Sequence, residues 1–227
     1  MISYDLDQGS LRDINEHLHR LPAETNERSW RILNPKGAHA LAAGLTRSLR
    51  IEVMGHVGYY CGGMNQAATI IIEGHCGTGV GENMMSGVIR VKGNASQSAG
   101  ASGRGGMLVI EGDASARCGI SMKGIDIVVG GSIGHMSCFM GQAGTLVVCG
   151  DADHDLGDSI YEAEIYVAGR VASLGADCIE KELEPAHRAQ LGALLDRAAI
   201  TADARRFRRY GSARRLYNFH IDHAEQY

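Results

Sequence analysis

Residues 89–131 read IRVKGNASQSAGASGRGGMLVIEGDASARCGISMKGIDIVVGG, and one phrase recurs in them as IRVKG, LVIEG and IVVGG, closing on Gly93, Gly112 and Gly131. The step is 19 residues. It continues in register to Gly55 and Gly74 before the stretch and to Gly150 and Gly169 after it, giving seven anchor glycines without an insertion. Four and two residues before the anchors stand Ile51 and Val53, Ile70 and Ile72, Ile89 and Val91, Leu108 and Ile110, Ile127 and Val129, Leu146 and Val148, Ile165 and Val167. All are Ile, Leu or Val at alternate positions, which is a strand with one face in a core.

After the anchors the chain reads G-x-x-G-x-x-x-G at Gly55, Gly58, Gly62 and Gly74, Gly77, Gly81, with Ser96 and Ser115 in the middle position further on. Glycine at a strand end serves a positive φ or a close approach of backbones. Nineteen residues are too few for a strand and a crossover helix, but they suffice for one coil of a parallel β-helix, in which coils stack about 4.8 Å apart. Apolar positions do not recur every six residues, so the hexapeptide left-handed form is disfavoured. The expected fold is all-β, a right-handed parallel β-helix of about seven coils over 48–178.

The flanks are 1–47 and 179–227. In the first, Leu11, Ile14, Leu18 and Leu21 follow Ser10 at helical spacing, predicting a helix over about 10–21, and WRILN at 30–34 can add a strand ahead of the first coil. In the second, Pro185 opens a helix with Leu191, Leu194, Leu195 and Ala198 on one stripe, followed by a basic, aromatic, aperiodic tail. Outward strand positions are charged at Glu52 and Arg90 but apolar at Val109, Val128, Val147 and Tyr166. That later stripe needs a cover, either the chain's own helix after Pro185 or a partner subunit.

Glycine is 31 of 227 residues, about 14% against roughly 7% in ordinary proteins, and the 19-residue period accounts for the excess. The net charge of -4 argues against a surface that tracks nucleic acid throughout. No apolar run approaches a membrane span and the start, MISYDLDQGSLRD, lacks the pattern of a signal peptide, so the expected location is cytoplasmic with no membrane contact. Cys61, Cys76, Cys118, Cys138, Cys149 and Cys178 show no C-x-x-C spacing and none share an offset in adjacent coils, so they read as free, buried thiols.

No nucleophile elbow, Walker loop or H-E-x-x-H motif is present, and no catalytic residue is expected in this chain. His56 stacks over His75 and His135 over His154 by the period, with Asn94 and Asp113 continuing the first column; without a third ligand each pair reads as a polar ladder, and no metal is expected. Glu73, Lys92 and Glu111 share another outward column, where alternating charge reads as an ion-pair ladder in preference to the cleft of a polysaccharide lyase. Residues 200–227 carry about +3, with Arg205, Arg206, Arg208, Arg209, Arg214 and Arg215 among Phe207, Tyr210, Tyr217 and Phe219. Arginines and aromatics of this kind suit a protein interface or single-stranded nucleic acid; the acidic remainder favours the interface, leaving no nucleic acid among the expected partners.

The coils resemble the C-terminal β-helix domain of the glutamate synthase large subunit and, more distantly, the β-helix subunit of formylmethanofuran dehydrogenase. With NPKGAHALAAGL before the coils, GRGGMLVIEGDASARCGISMKGIDIVVGG within them and YGSARRLYNFHID after them, nearly the whole chain resembles the β-helix subunit family of N-methylglutamate synthase and its amidotransferase-associated relatives. The resemblance implies a structural spacer in a hetero-oligomer that forms N-methylglutamate from methylamine and glutamate. It implies no cofactor in this chain, FMN and an iron–sulfur cluster on one partner, and a glutamine-amidotransferase-like second partner. A related amidotransferase complex with another substrate, or a formyltransferase–hydrolase type complex, is the alternative. The pattern departs at Cys138, Ala172 and Ala176, where glycines belong.

Overall fold

A computed structural model of the chain describes residues 1–215. Strand β1 (Ile2–Asp5), helix α1 (Leu11–Arg20) and strand β2 (Ser29–Leu33) precede the coils. The repeated phrases then form β3 (Arg50–Met54), β4 (Thr69–Ile72), β5 (Val88–Val91), β6 (Met107–Ile110), β7 (Lys123–Val129), β8 (Ala143–Val148) and β9 (Glu164–Val167). All nine strands pair in parallel and in sequence order. The register joins Ile51, Ile70, Ile89, Leu108, Ile127, Leu146 and Ile165 in one unbroken row. These residues and their partners two positions on are all fully buried, each side chain contributing about 1.5–3 kcal/mol.

A second wall is made by single parallel bridges through Val57, Cys76, Ala95, Ala114, Ile133, Ala152 and Val171, two residues after the anchors. The coil then turns through alternating left-handed residues, for example Ser98, Gly100 and Ser102 in one coil and Arg117, Gly119 and Ser121 in the next. The β-solenoid of about seven turns is therefore the one the 19-residue step predicts, with the WRILN segment adding β2 ahead of it.

Helix α1 is capped by Ser10, whose Oγ accepts from the Asp13 N–H, and it closes the first end of the core with Ile14 and Leu18. Helix α2 (Pro185–Ala198) starts at Pro185 and lays Leu191, Leu194 and Leu195 over Val109, Val128, Val147 and Tyr166. The apolar stripe of the later coils is thus covered by the chain itself. Arg90 donates to the Ala198 carbonyl at the helix C-terminus, where a cation also meets the negative end of the helix dipole.

Two features stand outside the sequence expectations. The acidic, polar start supplies β1, whose residues pair with β2 28 positions later, as in Ile2 with Trp30. The tail, read as aperiodic and without a core, supplies a 3-10 turn at Ala204–Arg206 and strand β11 (Arg208–Ser212). Strand β11 lies antiparallel between β9 and β10 (Cys178–Lys181), so the parallel stack ends in an antiparallel insertion. Phe207 and Tyr210 of this segment are buried in the chain's own core.

Candidate functional site

Immediately after six of the seven anchors, from Gly55 to Gly150, a side chain accepts a hydrogen bond from the backbone N–H one coil ahead. His56 Nδ1 accepts from His75 N at 2.9 Å, His75 Nδ1 from Asn94 N at 2.8 Å, Asn94 Oδ1 from Asp113 N at 3.0 Å, and Asp113 Oδ1 from Ser132 N at 2.7 Å. Ser132 Oγ then accepts from Asp151 N at 3.0 Å, and Asp151 Oδ1 from Arg170 N at 2.7 Å. Position is what these residues share: histidine, asparagine, aspartate and serine all place a short acceptor there. The His56 and His75 rings stack 4.9 Å apart, 10° from parallel, and each spends Nδ1 on the backbone. His154 Nδ1 lies 3.4 Å from Ser173 Oγ, and its Nε2 lies 3.7 Å from Asp153 Oδ1. Among the described residues no three His, Cys, Asp or Glu side chains gather as a metal-binding group.

The acidic and basic column is only partly as the period suggests. Glu111 accepts from Lys92 and from Arg90, each at 2.8 Å, while exposed Glu73 takes no part. Hydrogen bonds and charge from Lys92 and Arg90 outweigh the burial that opposes ionisation, and hold the Glu111 carboxyl below its ordinary range. The cysteines are all free, and all but Cys149 are buried. Burial pushes the Cys76, Cys118 and Cys178 thiols up to about 12, so they are inert at neutral pH.

The anchors Gly74, Gly93, Gly112, Gly131, Gly150 and Gly169 are there for close approach. Each from Gly93 onward donates its N–H to the carbonyl of the anchor before it, at 2.8–3.1 Å. A β-carbon at Gly93 would stand 2.5 Å from His75 Nδ1 and 2.8 Å from the Gly74 oxygen. Gly55 also has a positive φ, +143°. The glycines seven residues after the anchors are the ones that turn left-handed, and Cys138 adopts the same conformation at φ 58°.

The basic segment converges on the last coil. Arg209 reaches Glu164 with Nη2 at 2.6 Å and Nε at 3.2 Å, and the Tyr166 hydroxyl donates to the other Glu164 oxygen at 2.7 Å. His187 of α2 stands 3.9 Å from the same carboxylate. Burial opposes the Glu164 charge, but the Tyr166 and Arg209 hydrogen bonds with the Arg209 and His187 charges outweigh it and hold the carboxyl below its usual range. Burial, then the Glu164 carboxylate, push Tyr166 up. One carboxylate thus ties α2 and β11 to β9.

Its neighbours are partnered within the chain as well. Arg205 makes a bidentate pair with Asp203, Arg208 donates to the Gly169 carbonyl, Arg214 pairs with Glu162, and the Arg215 N–H is held by Asp177. Arg206 is exposed. Tyr210 is buried, with no partner for its hydroxyl among the described residues. Tyr217 and Phe219 lie outside the described residues. The sequence reading missed Glu164, Asp177 and His187; the signal for Glu164 was an acid at the row position occupied by Val88 and Met107 in earlier coils.

No helix among the described residues is long and apolar enough to cross a membrane. Over 225 residues, 98% of this chain and 98% of the relative, the sequence is 56% identical to Protein GlxC of Rhizobium meliloti (strain 1021). No family model matches the chain, and no solved structure matches it. A likeness of that depth, from one end to the other and across every coil, puts the chain in the family of Protein GlxC.

Proposed function

We propose that the chain is a non-catalytic β-helix scaffold subunit of a glutamate-synthase-like flavoenzyme complex in the cytoplasm, and that the complex is N-methylglutamate synthase. The observation that carries the reading is the use made of the stacked polar column. Its side-chain acceptors, which in an enzyme would be available for chemistry, are committed to the backbone of the next coil. A body built this way is a stiff spacer, suited to holding two catalytic subunits at a fixed separation. The glycine coils and the flanking segments support the glutamate-synthase-like assignment through their resemblance to that family, and the full-length likeness to Protein GlxC is consistent with it.

FMN and an iron–sulfur cluster belong to a partner in this reading, with a glutamine-amidotransferase-like subunit as the second partner. The cysteines of this chain, all but Cys149 buried, lie in separate coils, a donor set that does not suit a cluster. The complex then converts methylamine and glutamate into N-methylglutamate and ammonia.

Purification of the tagged chain from its native source, with mass spectrometry of what accompanies it, is the test. A flavin-containing partner and methylamine-dependent turnover of glutamate are expected. A chain that purifies apart from any FMN protein overturns the scaffold reading, and a flavoprotein complex inert toward methylamine overturns the substrate.

A further inference from the structure

The turn side of the first two coils carries large apolar side chains that stand exposed among the described residues. Tyr59, Tyr60, Met64 and Met85 are each 45–53% exposed. They are contiguous. Tyr59 and Tyr60 meet edge to face at 6.4 Å, the Gly63 N–H bonds the Tyr60 carbonyl, and the Met85 N–H bonds the Asn65 carbonyl beside Met64. The tyrosines are also seated: Tyr59 stacks on His39 at 4.5 Å, and β-carbons at Gly77 and Gly79 would stand 2.9 Å and 2.7 Å from the Tyr59 and Tyr60 rings. The glycines of the next coil therefore make room for the two rings, which remain about half exposed.

Charge around this platform is arranged differently from charge on the strand side. There, cations have carboxylate partners: Arg31 and Arg50 with Glu52, Arg90 and Lys92 with Glu111, Arg197 with Asp126 and Arg209 with Glu164. Beside the platform, Arg104 follows Met85 by one coil and Lys123 follows Arg104 by another, and both are exposed without an ion pair among the described residues. On the other flank exposed Arg12 lines the groove between α1 and His39, again unpaired. A centre of tyrosine and methionine with one carboxylate, Glu82, beside the Tyr60 ring, and with the unmatched cations Arg12, Arg104 and Lys123 at its edge, is the composition of a binding surface that awaits an acidic rim.

We propose that this face docks a protein partner whose contact surface is apolar at its centre and acidic at its edge; within the complex proposed above, on which this step rests, that partner is one of the glutamate-synthase-like subunits. A second copy of the chain does not fit, because a twofold contact centred on the tyrosines would bring the Arg12 flank against the Arg104 and Lys123 flank, cation to cation. The exposed methionines contribute nothing to a phosphate backbone and suit an apolar protein surface.

The test is oxidative footprinting of the native complex and of the isolated subunit, read by mass spectrometry at Met64 and Met85. Protection of both methionines in the complex by at least tenfold is expected. So is a loss of partner affinity of about tenfold or more in the Tyr59→Ala/Tyr60→Ala variant, with a weaker salt dependence in the Arg104→Glu/Lys123→Glu variant. Both variants lie on exposed positions, and unchanged thermal unfolding establishes that they fold. If the native partner lacks flavin but the methionines are protected, the docking face stands and the functional reading falls. If a flavoprotein accompanies the chain while Met64 and Met85 react as in the isolated subunit, the docking face falls alone. Protection by a single-stranded oligonucleotide instead of a protein, or a chain that purifies with no partner, overturns it as well.

Discussion

A methyl group at Gly93 would press on the ring nitrogen of His75 and on the Gly74 carbonyl at once, and neither has room to retreat, because both belong to the hydrogen-bond columns that hold consecutive coils together. Gly93→Ala is therefore expected to cost about 1–3 kcal/mol, measured by denaturant unfolding. The cause is contact between coils and not a left-handed backbone. Arg117 is the reverse case: exposed, with φ 58°, it holds a conformation that glycine adopts freely, so Arg117→Gly should stabilise by about 1 kcal/mol. At His56 the side chain matters as an acceptor. Asparagine, which does the same work at Asn94, should be tolerated, whereas His56→Leu should cost about 0.5–1.5 kcal/mol. The same bond fixes the neutral ring in the tautomer with its proton on Nε2, so nitrogen NMR of His56 and His75 should show that form; a proton on Nδ1 would contradict the ladder.

Among the elements, α2 and β11 are held to the coils by an apolar stripe, by the pairing of β11 with β9 and by polar links of which the Glu164 carboxylate is shared by both. Leu194→Ala should cost about 2–5 kcal/mol. Glu164 contributes differently: its folded pKa is depressed, so its share of stability is complete above the unfolded value of about 4.3 and is lost as pH falls through the lower folded value. Unfolding free energies measured between pH 7 and pH 3 should fall more steeply in the wild type than in Glu164→Gln, which should itself cost about 1–3 kcal/mol at pH 7 by leaving Arg209 short of a partner. Why some elements were legible in the sequence and others were not follows from their spacing. Strands β3 to β9 repeat every 19 residues, so self-comparison finds them and their register together. Ile2 pairs 28 positions ahead and Trp30 21 positions ahead of it, so β1 and β2 fall off the period and only the apolar WRIL hinted at one of them. Strand β11 runs against the others, and a segment of arginines with two buried aromatics has no local pattern to announce it. The polar column was visible as stacked side chains, but its backbone donors carry no sequence signature.

At the scale of the molecule, one wall of the solenoid is sealed by its own helix, and the turn wall of the first coils stands exposed among the described residues. The two differ in what the chain asks of its surroundings: the sealed wall needs nothing further, and the turn wall is the one on which the proposed partner would sit. Shortening the solenoid is expected to be costly at its ends in particular, since Ile14 and Leu18 close one end of a core that is otherwise open along its axis. Removal of residues 1–28 should produce aggregation, detected by light scattering. The antiparallel insertion at the far end has a further consequence, which concerns time. Strand β10 is made before β11 but joins the sheet beside β9 only through it, and Arg208 follows Val167 by more than two coils' length of chain. A growing chain can lay down coil upon coil as each emerges, then must hold its last strand unplaced until a later one arrives to sit in front of it. Coil building is vectorial, but the finish is a bolt drawn backwards, and it takes the edge of β9 away from an eighth turn, or from a neighbour's first, leaving β10 in its place at the end of the sheet.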